Sequence, residues 1–543
     1  MNTPTLLQFA NDEMLTRLLV KERAKCRRRN RNDKKHRLDR ECDISTLSSR
    51  KMLSRLMPPR YSWVRPSKRD KLKNKSSDTC KIAEKALWMT IKRDRMLQKQ
   101  EGNTFPYLEE MDAFFKTIRD KLQNNNINLT PPQLLPIYKS KEKMDDGRYR
   151  VTCRPLSVYN DLEDKILLAL TSRYLKDKIL ERHLHPNILS YRKARTFLGE
   201  EHHVTDFNDG IRLIKQYLDE HGQNDIYVAD CDIKKFYDII PHSVVLDCFD
   251  RMLNNSGLLD EGKDQVMNVL KAYLNSYNFL TNAWNYAEAS PQVYAKIRRK
   301  LHDPAGNNFY QLGWVDEIFD LPEHDQLHRG VPQGGSLSLI IANVVLNDVD
   351  QVIVSQEDNN RLFIRYCDDM ILMHTSRDEC TRLMNAYIQS LEEHGLYYHD
   401  IKRVSESKDL DNPTLTTSRF WKIKSHGTFL WGNGKGNGNC YIGFLGYELK
   451  RDGKMRLRKS NIQHFKEKLN RLYYSIRRYQ NDKRHTDEEK DNHRTQSLNK
   501  AIDGVLFYEA FDEQQFRRGR QYNHLLWLKN KTERRLQHEM HNH

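Results

Sequence analysis

The apolar positions of this chain recur with two different periods. Leu162, Ile166, Leu167 and Leu170 follow helical spacing, which predicts one buried face of a helix. Residues 344–354 are largely apolar and predict a second helix. Shorter apolar runs predict strands. One covers 226–229 and ends in Asp230-Cys231-Asp232, so that a carboxylate is delivered where the strand finishes. Two others, 362–366 and 370–373, flank Cys367-Asp368-Asp369 and predict a hairpin with those three residues as its turn. The Gly- and Asn-rich stretch 432–439 lies between runs ending at Trp431 and starting at Tyr441, and predicts a long hairpin loop. Residues 243–325 read as mostly helical, with a Tyr-rich stretch from Tyr273 to Tyr310. From Lys459 onward the chain reads as helical and basic, with a polar linker near 482–493.

Composition narrows the class. With 543 residues, 38% of them hydrophobic and 10% aromatic, the chain can bury a core and divide into about two to four domains. A net charge of +17 favours a polyanionic partner. No apolar stretch of about 18 residues is present to span a bilayer, and the first twelve residues lack the features of a secretory signal, so no membrane role and a cytoplasmic location are expected. The nine cysteines are scattered without a C-x-x-C pair, which reads as reduced thiols and gives no expectation of a structural zinc site. The basic run from Lys21 to Arg40 leaves two readings open, a solvated helix face and a phosphate-binding arm. Arg60, Tyr61, Trp63 and Arg65 read as the edge of a small core, with base stacking as the alternative.

The candidate chemistry lies in Asp232, Asp368 and Asp369. Adjacent aspartates at a turn repel one another and are driven toward protonation unless something neutralises them. Two divalent cations roughly 3.5–4 Å apart remove that penalty and are the usual device for in-line attack on a phosphate, one activating a 3′-hydroxyl and the other steadying pyrophosphate. The bland alternative for the turn alone is a simple hairpin cap.

The surrounding motifs carry a resemblance. Asp232-Ile-Lys-Lys-Phe-Tyr-Asp-Ile-Ile-Pro-His242 resembles motif A of reverse transcriptases, Gly330-Val-Pro-Gln-Gly-Gly-Ser-Leu-Ser338 motif B, and Tyr366-Cys-Asp-Asp369 motif C. Leu391-Glu-Glu-His-Gly-Leu396, running on to Lys402, resembles motif D, and Phe444-Leu-Gly-Tyr447 resembles motif E, the primer grip. Arg154-Pro-Leu-Ser-Val158 and Ser190-Tyr-Arg-Lys193 resemble two finger motifs. The resemblance runs from about residue 135 to 450, with the motifs in order.

The resemblance implies an α+β right-hand polymerase fold. Its expected parts are a basic, mostly helical N-terminal extension at 1–104, fingers at 105–225, a palm of antiparallel sheet and helices at 226–450 with an inserted or finger-like stretch near 243–329, and a helical thumb at 451–543. It implies Asp232, Asp368 and Asp369 as catalytic residues, with Ile233 beside them in the metal set. The implied cofactor is two Mg²⁺ ions, with Mn²⁺ as a substitute. Tyr237 would be the steric gate against a ribose 2′-hydroxyl. Gln333 and Gly334 would lie at the incoming nucleotide, with Gly335 allowing close backbone approach, and Arg154 would clamp the triphosphate. Lys402 would serve as general acid. Arg192, Lys193 and Phe444, Leu445, Gly446 and Tyr447 would meet nucleic acid. Cys367 reads as a packing substitution for the commoner alanine. The basic set Lys454, Arg456, Arg458, Lys459, Arg471, Arg477 and Arg478 suits duplex contacts, with a salt-laced surface as the alternative.

The implied activity is RNA-directed DNA polymerisation, with dNTPs, a DNA product and an RNA template or non-coding RNA as partners, and a homo-oligomer or accessory protein as a further one. Tyr237 stands where RNA-dependent RNA polymerases carry a second aspartate. No cysteine follows Cys440, which argues against a zinc-bound endonuclease tail. These features resemble free-standing bacterial defence-associated reverse transcriptases of the abortive-infection and "unknown" groups, and imply an antiphage role. Two alternatives remain: an untemplated or protein-primed DNA polymerase, and a non-catalytic RNA-binding scaffold.

Overall fold

The computed structural model describes residues 3–33, 49, 51–65, 79–143, 145, 149–278, 309–312, 328–399, 424–432, 441–481, 485–506 and 520–541. Helices and sheets are mixed along the chain. The strands in chain order are β1 (Gln133–Lys143), β2 (Tyr149–Val158), β3 (Arg195–Phe197), β4 (Glu200–His203), β5 (Tyr227–Asp232), β6 (Phe309–Leu312), β7 (Arg361–Tyr366), β8 (Asp369–His374), β9 (His426–Leu430), β10 (Tyr441–Phe444), β11 (Tyr447–Lys450) and β12 (Met455–Leu457). The chain divides into two compact units, each discontinuous in sequence.

The first unit comprises Met1–Leu184, Lys235–Val349 and Glu392–Tyr397. Its sheet has the order β1-β2-β6, the first pair antiparallel and the second parallel. Helices supply most of its core. In Pro106–Gln123, Leu108, Met111, Phe115, Ile118 and Leu122 form one buried face at the 3.6-residue period. The predicted stripe Leu162, Ile166, Leu167 and Leu170 lies on helix Leu162–Tyr174 and is buried, with Asp161 capping the helix by accepting the Asp164 N–H. The N-terminal residues belong to this unit. Thr3 Oγ1 donates to the Ser256 carbonyl at 3.2 Å, and Tyr174 donates its hydroxyl to the Pro4 carbonyl at 2.7 Å. Tyr61 is 91% exposed, so the core-edge reading fails for that ring. Trp63, whose indole N–H donates to Pro58, is half-buried.

The second unit comprises His185–Lys234, Asp350–Leu391 and Tyr398–His543. Its main sheet has the order β7-β8-β5-β9, with every neighbouring pair antiparallel. Val228, Ile364, Ile371, Met373 and Phe429 send one face of this sheet into a hydrophobic core shared with helix Phe207–His221. A second sheet, β10-β11-β12, adds Ile442, Phe444, Tyr447 and Leu449 to the same core. The expected hairpin across 432–439 is corrected here: β9 pairs with β5, whereas β10 pairs with β11, so the two runs serve different sheets. The loop itself, 433–440, lies outside the described residues. Helices Lys459–Gln480, Asp487–Leu506 and Arg520–His541 complete the unit. The polar linker is therefore shorter than its composition suggested, because three acidic residues in the first turn, Asp487, Glu488 and Glu489, suit the start of a helix.

Candidate active site

The sequence motifs are divided between the two units. In the second unit, β5 lies between β8 and β9, and its last residue, Asp232, stands directly opposite Asp369 in the β5–β8 ladder. Asp369 also pairs with Tyr366 across the β7–β8 hairpin. The turn is thus two residues, Cys367 and Asp368, rather than three, and Asp369 is a strand residue. Cys367 has φ 59°, the only positive φ in that turn. A two-residue hairpin with a positive φ at its first position is the geometry glycine usually supplies. Its left-handed backbone costs a non-glycine residue about 1–2 kcal/mol. Neighbours hold it in place: Ser190 Oγ accepts the Cys367 N–H at 2.9 Å, and Arg365 Nη1 donates to the Cys367 carbonyl at 2.9 Å. Burial and the adjacent Asp368 push the Cys367 thiol up to about 11, in keeping with a packing role.

Charge gathers around these carboxylates. Asp369 is half-buried, and desolvation together with Asp230, Asp232 and Asp368, opposed by Arg458, pushes its carboxyl up to about 7. Asp230, two residues before Asp232 and so on the same face of β5, bonds through both carboxylate oxygens to His426 Nδ1 at 2.9 Å. Asp232 Oδ2 lies 3.7 Å from His399 Nε2 and 3.7 Å from Lys424 Nζ. Its backbone N–H donates to Ser425 Oγ. Hard oxygen donors with an excess of negative charge, met here by a lysine and an imidazole, form a donor set that fits a divalent cation. Ile233, beside Asp232, has its side chain buried, so only its backbone is available to such an ion.

Other expected residues of this unit take specific positions. Arg192 is buried, and its Nη1 donates to the carbonyls of His185 and Ile188, so it braces a loop. Lys193 is exposed. Phe444 and Tyr447 are buried in the core, leaving Leu445 and Gly446, at φ 48° and 89°, as the tip of the β10–β11 hairpin. Arg456 is committed to Glu448 and stacks 3.9 Å from the Tyr441 ring centroid, and Lys454 pairs with Asp452, which favours the salt-laced reading for both. Lys402 lies outside the described residues.

In the first unit, three motifs far apart in sequence are stitched together. Ser157 N–H donates to the Gln333 carbonyl at 2.8 Å, and Leu156 bridges Gln333 in parallel. Val331 N–H donates to the Tyr237 carbonyl at 2.7 Å, and Gly330 N–H to that of Ile240 at 2.8 Å. Gln333 donates its amide to Asp238 Oδ1 at 2.6 Å. A Cβ on Gly334, at φ 84°, would collide with Leu156, and one on Gly335 with the Tyr273 hydroxyl. The close approach these glycines allow is therefore to their own chain. Tyr237 is half-buried on the short helix Phe236–Ile239, edge-on to Phe236. Arg154 lies on β2, opposite Ile137. Asp238 escaped the sequence reading, although it stands one residue after Tyr237. Asp350, Arg365, His426 and Lys424 also escaped it, because no local pattern marks a long-range polar partner.

Comparison with known proteins bears on the same residues. Residues 300–448 match the family described as reverse transcriptase (RNA-dependent DNA polymerase). That span takes in Gly330, Gln333, Asp368, Asp369 and Phe444 and begins after Asp232. The telomerase reverse transcriptase of Mus musculus is 20% identical over 103 residues, which are 19% of this chain and 9% of that protein. An apo telomerase structure from Candida tropicalis aligns at 13% identity and TM-score 0.36, covering 75% of this chain and 62% of that one. A Candida albicans telomerase in complex with a TWJ fragment of telomeric RNA aligns at 14% and 0.30, covering 78% and 63%. The chain spans less than two thirds of each of these relatives.

Proposed function

We propose that this chain, whose residues 300–448 match the reverse transcriptase family, acts as an RNA-directed DNA polymerase that adds deoxynucleotides by two-metal phosphoryl transfer. The observation that carries the reading is the Asp232–Asp369 register, which sets carboxylates from two distant motifs side by side next to Asp368 in its turn. Asp232, Asp368 and Asp369, with the Ile233 backbone, would hold two Mg²⁺ ions, which supply a nucleophile-activating and a leaving-group-stabilising charge. Lys424 and His399 stand beside Asp232 and meet negative charge on the same side.

The second unit's four-stranded sheet is the core of the palm in this reading, its three C-terminal helices the thumb, and the β1–β2 hairpin part of the fingers. The first unit's stitched motifs form the nucleotide-facing surface. Tyr237 excludes the ribose 2′-hydroxyl, Gln333, Gly334 and Arg154 meet the nucleotide, and Lys402 donates a proton to pyrophosphate. Lys193 and the Leu445-Gly446 tip meet nucleic acid. The net charge of +17 supports an RNA partner. A bacterial antiphage role in the cytoplasm rests on the motif resemblance alone.

The test uses the purified full chain with an RNA template, a DNA primer, Mg²⁺ and single dNTPs or NTPs. Deoxynucleotide incorporation is expected, lost in Asp368→Ala/Asp369→Ala while the melting transition persists. Activity retained in that variant would overturn the site, and RNA binding without incorporation would select the scaffold. Product released from protein only by protease would select protein priming.

A further inference from the structure

We infer that the first unit carries a second metal site, separate from the aspartate cluster and built for a borderline-soft divalent ion such as Zn²⁺ from Cys248, Asp348 and His394. Among the described residues, these form the one group of three metal-ligating side chains whose ligand atoms all lie within 4.8 Å of one another. They come from three separate segments: Cys248 from helix His242–Asn254, Asp348 from helix Ser338–Val354, and His394 from the residue after helix Arg377–Glu393.

The donor chemistry selects the ion. A thiolate, an imidazole and a carboxylate are the set that zinc accepts, whereas Mg²⁺ takes oxygen ligands and would leave the sulfur unused. A thiolate and a carboxylate also balance the ion's two positive charges. Zinc bonds of about 2.0–2.3 Å place ligand atoms roughly 3.5 Å apart in a tetrahedron, so side chains already within 4.8 Å need only small rotations to close.

The surroundings suit such a site. Cys248 is fully buried, which positions its sulfur, while the Asp348 side chain is 27% exposed and leaves a path from solvent. Arg251 Nη2 donates to Asp348 Oδ2 at 2.6 Å and lies 3.4 Å from Cys248 Sγ. The guanidinium thus holds one carboxylate oxygen in the way that outer partners orient metal-bound carboxylates, and the other oxygen is the ligand. Three protein ligands leave a fourth position for water. Within the first unit, ion binding ties the helix His242–Asn254 and the helix beginning at Ser338, where the Gln333 segment ends, to the Glu392–Tyr397 segment.

The decisive measurement is a cobalt(II) titration of metal-stripped full-length protein, followed by near-ultraviolet absorption. A thiolate-to-cobalt charge-transfer band saturating at about one equivalent is expected, and Zn²⁺ should abolish it by displacement. Oxygen ligands alone give no such band, so an ion on Asp232, Asp368 and Asp369 is not mistaken for this one. Cys231 and Cys367 are the cysteines beside those carboxylates among the described residues, and Cys231→Ser and Cys367→Ser should each keep the band. Cys248→Ser should lose it, and His394→Ala should weaken uptake at least tenfold. Because the half-exposed His394 can be changed without opening the core, that variant tests the site even if Cys248→Ser folds poorly. Absence of the band in the wild type, or its persistence in Cys248→Ser, would overturn the assignment.

Discussion

Arg365 and Asp350 form an ion pair with no solvent exposure on either side chain, and Arg365 Nε donates to the carboxylate at 2.8 Å. Burial pushes the Asp350 carboxyl up, and the Arg365 guanidinium pulls it back toward the ionised form. The same guanidinium reaches the Cys367 carbonyl, and the Arg365 backbone pairs with Asn187 and Leu189. A buried pair of this kind costs desolvation and returns a fixed geometry, here that of the turn bearing Asp368. Replacing one partner, as in Asp350→Ala, strands a charge and is expected to cost about 3–5 kcal/mol in chemical denaturation. The double change Asp350→Leu/Arg365→Met should recover most of that stability. It should still lower incorporation by about ten- to a hundredfold, because the turn loses its anchor. Wild-type turnover in the double variant would show that the pair serves stability alone.

Gly335 is enclosed by the Tyr273 hydroxyl, Ser338 Oγ and the Pro332 carbonyl. Gly335→Ala should destabilise the protein by about 1–3 kcal/mol. Adding Tyr273→Phe, which removes the colliding oxygen, should return part of the loss. Thermal melts of the two single variants and the double variant measure this coupling, and strict additivity would refute it.

Asp238 accepts the Gln333 amide and is itself 8% exposed. Asp238→Ala frees the Gln333 side chain and removes a charge-assisted hydrogen bond worth about 1.5–3 kcal/mol. On the proposed placement of Gln333 at the incoming nucleotide, KM for dNTP should rise about tenfold while kcat changes little. Steady-state incorporation reads the split, and a fall in kcat at constant KM would place Asp238 elsewhere in the cycle.

His185 gives a pH dependence with a definite sign. Burial, reinforced by Arg361, Arg192 and Arg195, lowers its pKa from 6.5 to about 4. Above pH 6.5 the ring is neutral in both folded and unfolded chains and contributes nothing. As pH falls from 6.5 toward 4, the unfolded chain takes the proton first, so stability is lost across that window. His185→Asn, whose amide oxygen can keep the acceptor role toward the Asn187 N–H, should melt with a shallower acid slope between those limits. Superimposable pH profiles would show that His185 is not held neutral.

Local patterning made the strands legible. The apolar runs before Asp232 and around Cys367-Asp368 became β5, β7 and β8, and the stripe on helix Leu162–Tyr174 is buried. Partner choice was not legible. Nothing near Trp431 indicates that its strand joins β5 rather than the next apolar run, because sheet pairing is settled by non-local packing. Buried polar partnerships were hidden for a related reason. Asp350 sits in a largely apolar helix and Arg365 in a largely apolar strand, so neither is marked as a buried ion-pair partner until both are seen together. The glycines of the Gln333 segment were recognised as places of close approach, but the approaching groups, Leu156 and Tyr273, are far away in sequence.

The position of β5 sets a timescale. With neighbours on both sides, its amides exchange with solvent only when the four-stranded sheet opens, so Asp232 rides on one of the slowest-exchanging segments of its unit. The Gln333 segment is joined to β2 through the Ser157 bond and the Leu156 bridge, and to the Tyr237 helix and the residue after it through Val331, Gly330 and the Gln333–Asp238 bond, a set of links outside any extended ladder that can break one at a time. Deuterium uptake should therefore be fast at 330–336 and slow at 227–232. The Gln333 segment would then open and re-form many times for each opening of the sheet that carries Asp232.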